Sequence, residues 1–154
     1  MEPMEIAHAL EAEFANDVVE MTAFRDQVAV TVSRDKIGPV CRWLRDAARI
    51  EMDFLPDVCA VDFPERELRF EVVYNLYSLR HHHRIRIKAR LPEDDLSVDS
   101  VVSIWRGADW FEREAFDLFG IDFVGHPDLR RLLLPDNWRG YPLRKDYPVQ
   151  GPDR

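Results

Sequence analysis

Prolines constrain the last part of this 154-residue chain, since five of its ten fall at positions 127, 135, 142, 148 and 152. Each proline fixes φ and removes a backbone donor, so neither a long helix nor a central strand can run through this segment. The segment also carries several leucines and aromatic side chains, among them Trp138, Tyr141 and Tyr147, which is not typical of a disordered tail. We therefore predict an extended C-terminal arm, residues 126–154, that lies on a partner protein or on the chain's own domain.

Residues 1–125 carry the periodic patterns of a folded domain. The clearest strand is Arg84–Leu91, where apolar side chains alternate strictly with arginine and lysine, so that one face is core and the other basic. Further strands are predicted over 18–24, 28–33, 58–63 and 68–76, helices over 3–15, 39–48 and 109–119, and one or two helical turns over 100–106. This order predicts an α+β fold, with a mostly antiparallel sheet and helices packed on one side.

Composition and charge exclude several classes of protein. Apolar residues make up 46% of the chain and charged residues 32%, which is typical of a globular domain. No apolar run approaches the ~20 residues that span a bilayer, and the acidic N-terminus does not resemble a secretory signal, so we expect a cytoplasmic protein. A net charge of −8 argues against nucleic-acid binding. The charge is uneven, at −10 for residues 1–126 and +2 for residues 127–154, which suggests a separate role for the arm.

Cysteine and histidine patterns indicate no metal site. Cys41 and Cys59 form no CxxC pair and no cluster with histidine, so the chain alone supplies ligands for neither zinc nor an iron–sulfur cluster. We expect both cysteines to be buried as small apolar residues. The run His81–His83 lies between two predicted strands, where neighbouring side chains point to opposite faces. We interpret it as a solvated turn.

The predicted helix 109–119 concentrates ionisable groups and is the place to look for catalysis. A hydrolase would need two carboxylates as acid and base, but Glu112 and Glu114 point to nearly opposite sides of a helix. We expect the core-facing stripe to consist of Phe111, Ala115, Leu118 and Phe119. With Glu114 at the border of this stripe, we expect its side chain to be at least partly buried and paired with a basic group, in this chain or in a partner. Trp110 and Phe116 lie outside the stripe, so a second side of the helix should contact something other than this domain's core.

Three blocks of sequence then show a resemblance. The pattern Glu112-Arg113-Glu114, Asp117-Leu118-Phe119, His126 and Arg130 resembles the signature of the 30-kilodalton subunit family of respiratory complex I. The run Leu133-Leu134-Pro135-Asp136, with Trp138, Gly140 and Tyr141–Pro148 after it, is similar to that family's C-terminal arm. Val61-Asp62 and the strand Phe70–Ser78 are similar to its central region.

The resemblance implies a subunit of NADH–quinone oxidoreductase in the peripheral arm of the complex, on the cytoplasmic side of the bacterial membrane. Family members carry neither flavin nor iron–sulfur cluster and clasp the large quinone-site subunit, while FMN and the clusters sit in partner subunits. The chain would then be part of an enzyme without being catalytic itself, and would touch the membrane only through the complex. We expect the partner interface to include Glu112, Arg113, Glu114, Phe116, Asp117, His126, Arg130, Trp138, Tyr141, Arg144, Lys145 and Tyr147.

Two alternatives stay open. One is the homologous subunit of a membrane-bound hydrogenase or of a related dehydrogenase with another electron donor, whose sequence would look much the same. The other is a free-standing small hydrolase that uses Glu112, Glu114 and His126, which requires a concave pocket that joins the three groups.

Overall fold

A computed structural model describes residues 1–151, so Pro152 and the two residues after it lie outside the described residues. The helices are α1 Pro3–Glu13, α2 Ile37–Asp46 and α3 Ala108–Phe119. The strands are β1 Val18–Phe24, β2 Gln27–Val32, β3 Phe54–Asp62, β4 Phe70–Tyr77, β5 Arg84–Leu91, β6 Ser97–Asp99 and β7 Asp122–Val124. None of the helices in this part of the chain has the length and apolarity that a bilayer crossing requires.

Five strands form one sheet in the order β1-β2-β5-β4-β3. All neighbours in this sheet are antiparallel except β2 and β5, which are parallel. The β1–β2 hairpin closes through Arg25 and Asp26, whose φ angles of 48° and 64° both lie in the left-handed region. A two-residue turn with both residues in this region has the same right-handed twist as the strands that it connects. The predicted α+β fold with a mostly antiparallel sheet is confirmed.

The hydrophobic core lies between this sheet and the helices. Phe70, Val72, Tyr74 and Leu76 of β4 are buried, and so are the alternate residues Ile85, Ile87, Ala89 and Leu91 of β5. They belong to one apolar cluster with residues of all three helices, such as Leu10, Leu44 and Ala115. On the other face of the sheet, Glu71 lies 3.5 Å from Lys88 Nζ and 3.5 Å from Arg90 Nε, a cross-strand pairing that the basic face of β5 predicts.

Several local predictions were wrong at the level of single elements. Residues 100–106 form hydrogen-bonded turns and no helix, and β6 and β7, a short parallel pair, were not predicted. Helix α2 begins two residues before the predicted Pro39, and Ala48 lies exposed beyond its end. Leu68 precedes β4 and is 43% exposed, because the alternation becomes regular only from Phe70.

The cysteine and histidine predictions are confirmed in part. Cys41 is buried in α2, but Cys59 is exposed, because it pairs with Val73 on the face of the sheet that no helix covers. His81 and His82 lie in an exposed turn, as predicted. His83 is instead buried, with its Nε2 2.6 Å from the carbonyl oxygen of Ile50. In residues 1–151, no group of three or more His, Cys, Asp and Glu side chains is arranged to hold a metal ion.

Candidate functional site

Helix α3 and the loop after it bring most of the predicted site residues together. The helix ends at Gly120, whose φ of +80° is the left-handed conformation that commonly ends a helix. A Cβ at Gly120 would lie 2.7 Å from atoms of both Tyr141 and Arg144. Glycine is therefore required here for two reasons: the backbone conformation, and the close approach of the arm to the end of the helix.

Glu112 is fully buried on the core side of α3. Its Oε2 accepts a hydrogen bond from Ser100 Oγ at 2.6 Å, and its Oε1 accepts one from the backbone N–H of Val101 at 2.7 Å. Burial raises the pKa of Glu112 to about 7, although both hydrogen bonds oppose the rise. The carboxyl group thus holds the 100–106 turns against the helix.

His126 fastens the start of the arm to the first turn of α3. Its side chain is fully buried, with Nε2 3.1 Å from the carbonyl oxygen of Asp109 and 3.0 Å from Asp109 Oδ1. Its Nδ1 accepts the backbone N–H of Asp128 at 3.0 Å, which leaves the proton on Nε2. Both ring nitrogens are occupied by the fold itself, as expected for a histidine that ties backbone segments together.

Asp117 is the point on which the arm is fixed. The side chain is fully buried, and its Oδ2 accepts the successive backbone N–H groups of Leu132, Leu133 and Leu134 at 3.1, 2.7 and 2.9 Å. Its Oδ1 accepts a hydrogen bond from Arg131 at 2.9 Å. Burial raises the pKa of Asp117, but these hydrogen bonds outweigh it, so the pKa lies below its usual value. A carboxylate that receives three backbone donors and a guanidinium is held ionised.

Arginines extend this attachment along the arm. Arg131 also donates to the carbonyl oxygens of Trp138 at 3.2 Å and Gly140 at 3.0 Å, which folds the middle of the arm back on itself. From the helix, Arg113 donates to the carbonyl oxygens of Arg130 and Arg131, each at 3.2 Å. Carbonyl groups that prolines leave without a regular partner are thus satisfied by guanidinium groups.

A second attachment lies at the other end of the arm. Arg69, which is 7% exposed, makes a bidentate pair with the buried carboxylate of Asp62 at 2.7 and 2.8 Å. The backbone N–H of Lys145 donates to Asp62 Oδ2 at 2.7 Å, and Asp146 lies 3.2 Å from Arg69. The hydrogen bond from Arg69 holds the pKa of Asp62 below its usual value. No sequence signal relates the arm to this pair, because Lys145 and Asp146 lie far along the chain from Asp62 and Arg69.

Between the two attachments the arm follows the end of α3. The backbone N–H of Leu143 donates to the carbonyl oxygen of Leu118 at 3.1 Å, and Arg144 Nε donates to that of Phe119 at 2.7 Å. The Arg144 guanidinium lies 4.7 Å from the centre of the Tyr141 ring, within range of a cation–π contact. The described part of the arm, residues 126–151, therefore lies on the chain's own domain and contains neither helix nor strand.

Several large apolar side chains of the arm lie at the surface, whereas Leu129 packs against the core cluster. Leu133 is 63% exposed, Leu143 50% and Trp138 38%. On the first turn of α3, Trp110 is 67% exposed. Exposed apolar side chains therefore lie both on the arm and on the first turn of α3, and exposed apolar groups of this size are candidates for contact with another molecule.

The predicted interface residues divide by burial. Glu112, Asp117 and the His126 side chain are buried inside the chain and offer no surface to a partner. Arg113, Phe116, Tyr141, Arg144 and Tyr147 are half-buried, and Glu114, Arg130, Trp138 and Lys145 are exposed. The expectation that Glu114 is partly buried in this chain was wrong, because the core-facing stripe of α3 runs through Ala108, Glu112, Ala115 and Phe119.

The arrangement gives a hydrolase no support. Glu114 is exposed, while Glu112 on the core side of the helix is fully buried. His126 has both ring nitrogens engaged. Three surface clefts in the described part of the chain are lined by residues other than Glu112, Glu114 and His126.

The amino-acid sequence is similar to those of known proteins of one family. Residues 30–153 match the family described as respiratory-chain NADH dehydrogenase, 30 Kd subunit. The chain is 48% identical to an NADH-quinone oxidoreductase subunit of Geobacter sulfurreducens, over 94% of this chain and 89% of the relative. It is 52% identical to the protein of the same name from Citrifermentans bemidjiense, with the same coverage of both chains.

Two solved structures are similar in fold. One is a trypsin-resistant fragment (1-134) of Nqo5, with a TM-score of 0.69 and 28% identity, over 84% of this chain and all of the fragment. The other belongs to a membrane-bound sulfane sulfur reductase, described as an archaeal respiratory membrane complex. It has a TM-score of 0.80 and 25% identity, over 97% of this chain and 87% of that chain.

Proposed function

Because this chain belongs to the family of the 30 kDa subunit of respiratory-chain NADH dehydrogenase, we propose that it is a cofactor-free structural subunit of the peripheral arm of NADH–quinone oxidoreductase. In that complex, partner subunits pass electrons from NADH through FMN and iron–sulfur clusters to quinone, and the reaction is coupled to proton translocation. The chain supports this transfer by binding the large quinone-site subunit and the iron–sulfur subunits on the cytoplasmic side of the membrane.

The observation that carries the proposal is the use of the signature residues inside the fold. Glu112, Asp117 and His126 each hold a backbone segment in place, so none of them is free to act on a substrate. Asp117 and His126 hold the arm, which presents Leu133, Trp138 and Leu143 at the surface, and Glu112 holds the turns before the helix. Buried aromatic anchors commonly contribute ~2 kcal/mol or more each to an interface, so Trp138 is the first side chain to test as an anchor.

A direct test is native purification. The tagged chain, isolated from host membranes in mild detergent, should bring with it the large quinone-site subunit, the iron–sulfur subunits and NADH-oxidising activity. A parallel preparation with Trp138→Ala should yield less of the partner subunits. Recovery of the chain alone, at native expression level and without partner subunits, would refute the proposal.

The likeness to the sulfane sulfur reductase complex favours one second candidate, the homologous subunit of a membrane-bound hydrogenase or related dehydrogenase with another electron donor. The two candidates differ in the subunit that receives electrons. A flavoprotein with an NADH site in the purified complex supports the first, and its replacement by a different electron-input subunit supports the second.

The cofactor-free part of the proposal has its own test. The isolated chain should be colourless, with no stoichiometric iron, acid-labile sulfide, flavin or zinc. Metal analysis and absorbance spectroscopy of the purified chain measure this directly. Stoichiometric iron together with acid-labile sulfide would contradict the prediction, whereas a trace of nickel held by the histidine turn would not.

A further inference from the structure

Strand β1 forms an open edge of the five-stranded sheet, with β2 on one side and no strand of the described chain on the other. Its two-residue turn pairs Phe24 with Gln27, and in such a hairpin the flanking pair exchanges both backbone hydrogen bonds. The backbone groups of Phe24 therefore point toward β2, and those of its neighbour Ala23 point away from β2. The direction alternates from there along the strand. Ala23 and Met21 are therefore the residues whose backbone groups point outward from the sheet.

This edge lacks the features that usually prevent pairing with another chain. Natural sheets protect open edges with proline, lysine, bulges or covering elements. Residues 18–24 contain neither proline nor lysine, and the one register shift lies before Met21. The only charged residue, Glu20, is engaged by Arg90. The opposite edge, β3, contains Pro56 and packs against α3, so the two edges of this sheet are not equivalent.

A cleft of about 320 Å³ adjoins the open edge on the side of α1. Met4, Ala23 and Val28 supply its apolar wall, and charged side chains such as Glu2 lie at its rim. Phe24 also lines the cleft and is 71% exposed, although strand alternation places its side chain on the face opposite to that of Ala23. Side chains of an added strand alternate between the two faces, so one would enter the cleft while the next lies beside Phe24.

We infer that β1 accepts an extended strand from a partner subunit, bonded to the backbone of Met21 and Ala23, with an apolar side chain of that strand in the cleft. Unpaired strand backbone recognises another extended backbone, and the adjoining pocket selects its side chains. A second copy of this chain fits less well, because two seven-residue strands alone bury far less than the ~1,600 Å² of a standard interface. The inference rests on the proposed function, since it places the partner in the same complex.

Amide hydrogen exchange in the purified native complex, compared with the isolated chain, tests this pairing at single residues. Exchange at Met21 and Ala23 should slow on the order of 100-fold in the complex, as expected for amides that become hydrogen-bonded. Thr22, whose amide faces β2, serves as the internal control and should be protected in both samples. Unchanged exchange at Met21 and Ala23 would overturn the inference while leaving the proposed function intact. Absence of the chain from the complex would overturn both.

A pair of variants tests the same edge by assembly. Ala23→Pro removes an outward N–H and no bond to β2, which an edge strand tolerates, whereas Ala23→Ser keeps the N–H. Ala23→Pro should lower incorporation into the complex by about tenfold, which corresponds to ~1.4 kcal/mol. Equal incorporation of the two variants would overturn the inference. So would a dimer of the isolated chain in which Met21 and Ala23 are protected, because the occupant would then be a second copy. If Ala23→Pro fails to fold, the exchange measurement on the unmodified complex decides.

Discussion

Two buried carboxyl groups on α3 have opposite pKa shifts, and the difference lies in their donors. Glu112 receives its hydrogen bonds from a hydroxyl and one backbone N–H, so burial dominates and its pKa rises to about 7. Asp117 receives three backbone N–H groups and a guanidinium, so its pKa falls. Perturbed carboxyl groups often mark catalytic sites, but each of these two is enclosed by the segment that it holds.

The raised pKa of Glu112 makes stability depend on pH. A carboxyl group with a raised folded-state pKa contributes stability at low pH, and this is lost as the pH rises from 4.5, its ordinary value, through about 7. Urea unfolding at pH 5 and pH 8 should therefore give a lower free energy of unfolding at pH 8. Between pH 5 and pH 8, the contribution of Glu112 to the difference is about 2.5 kcal/mol, from ~1.4 kcal/mol per pKa unit.

Glu112→Gln isolates this contribution from those of the other titratable groups. The variant keeps an acceptor for the Val101 N–H but does not ionise. The free energy of unfolding of the variant minus that of the wild type should be larger at pH 8 than at pH 5, by about 2.5 kcal/mol. A difference between the two proteins that does not change with pH would show that Glu112 titrates normally in the folded state.

Removal of the charge at Asp117 should release the arm. Asp117→Asn takes away the ionised partner of Arg131 and weakens three backbone hydrogen bonds, and loss of one partner of a buried pair typically costs about 3–5 kcal/mol. Urea unfolding should show a loss of about 3 kcal/mol, by the same reasoning. Asp136→Asn, an exposed carboxylate of the same arm, is the matched control and should change stability little. Equal effects of both variants would contradict the role given to Asp117.

At the scale of elements, the sequence predicts α3 but misplaces its buried side. A stripe chosen by hydrophobicity passes through Phe111 and Leu118 and puts Glu114 at its border. Ala115 and Phe119 of that stripe are buried, and Phe111 and Leu118 pack half-buried against the core. The fully buried side is rotated toward Glu112, because the hydrogen bonds from Ser100 and Val101 compensate the burial of its carboxyl group. Those donors lie in turns whose conformation no periodicity reveals. The hydrophobic pattern therefore predicts that the helix exists, while the hydrogen bonds of Glu112 determine which side of the helix faces the core.

The strands were predicted well where the alternation of apolar and polar residues is long, and missed where it is short. The bounds of β5 are predicted to the residue, because eight residues alternate strictly between core and solvent. The three-residue strands β6 and β7 are too short for any alternation to be recognised, and they pair only after α3 brings them together. Cys59 is misassigned for a related reason, since a small apolar residue in a strand fits either face.

Glu114 and Trp110 lie on the exposed side of α3, so their contribution should be to assembly alone. Glu114 has no ion-pair partner among residues 1–151, and Glu114→Ala should change the free energy of unfolding of the isolated chain by no more than ~0.5 kcal/mol. The same variant should reduce the amount of partner subunits that co-purify with the chain. Glu13→Ala, exposed at the end of α1, is the control and should leave both measurements unchanged. A fall in stability as large as that of Asp117→Asn would show that Glu114 belongs to the fold.

For the whole molecule, the arm acts both as part of the domain and as a surface for a partner. The sequence predicts its extended course from the prolines, and leaves open whether it lies on this domain or on another protein. Its attachment to Asp117 and Asp62 could not be predicted, because each carboxylate contacts residues distant in sequence through backbone N–H groups, which every residue but proline has. The exposed leucines and Trp138 show that this attachment leaves the apolar surface of the arm uncovered.

Two truncations separate these roles. Deletion of residues 136–154 keeps Arg131 and the three leucine amides on Asp117 but removes Lys145 and Asp146 from the second attachment. Deletion of residues 127–154 also removes the hydrogen-bond donors that Asp117 receives from the arm. Both truncated chains should fold, the longer deletion with the lower melting temperature, by several degrees per kcal/mol lost. Because both lack Trp138, neither should co-purify with the large quinone-site subunit.

The outcomes of this experiment distinguish the possible roles of the arm. Full assembly of the shorter deletion would show that residues 136–154 are not the clasp and would move the interface to α3 and the first part of the arm. Loss of folding in the longer deletion alone would mean that the segment on Asp117 is an integral part of the domain core. Folding of both with loss of assembly in both is the expected result, since the polar attachments stabilise the arm on the domain while its apolar side chains bind the partner.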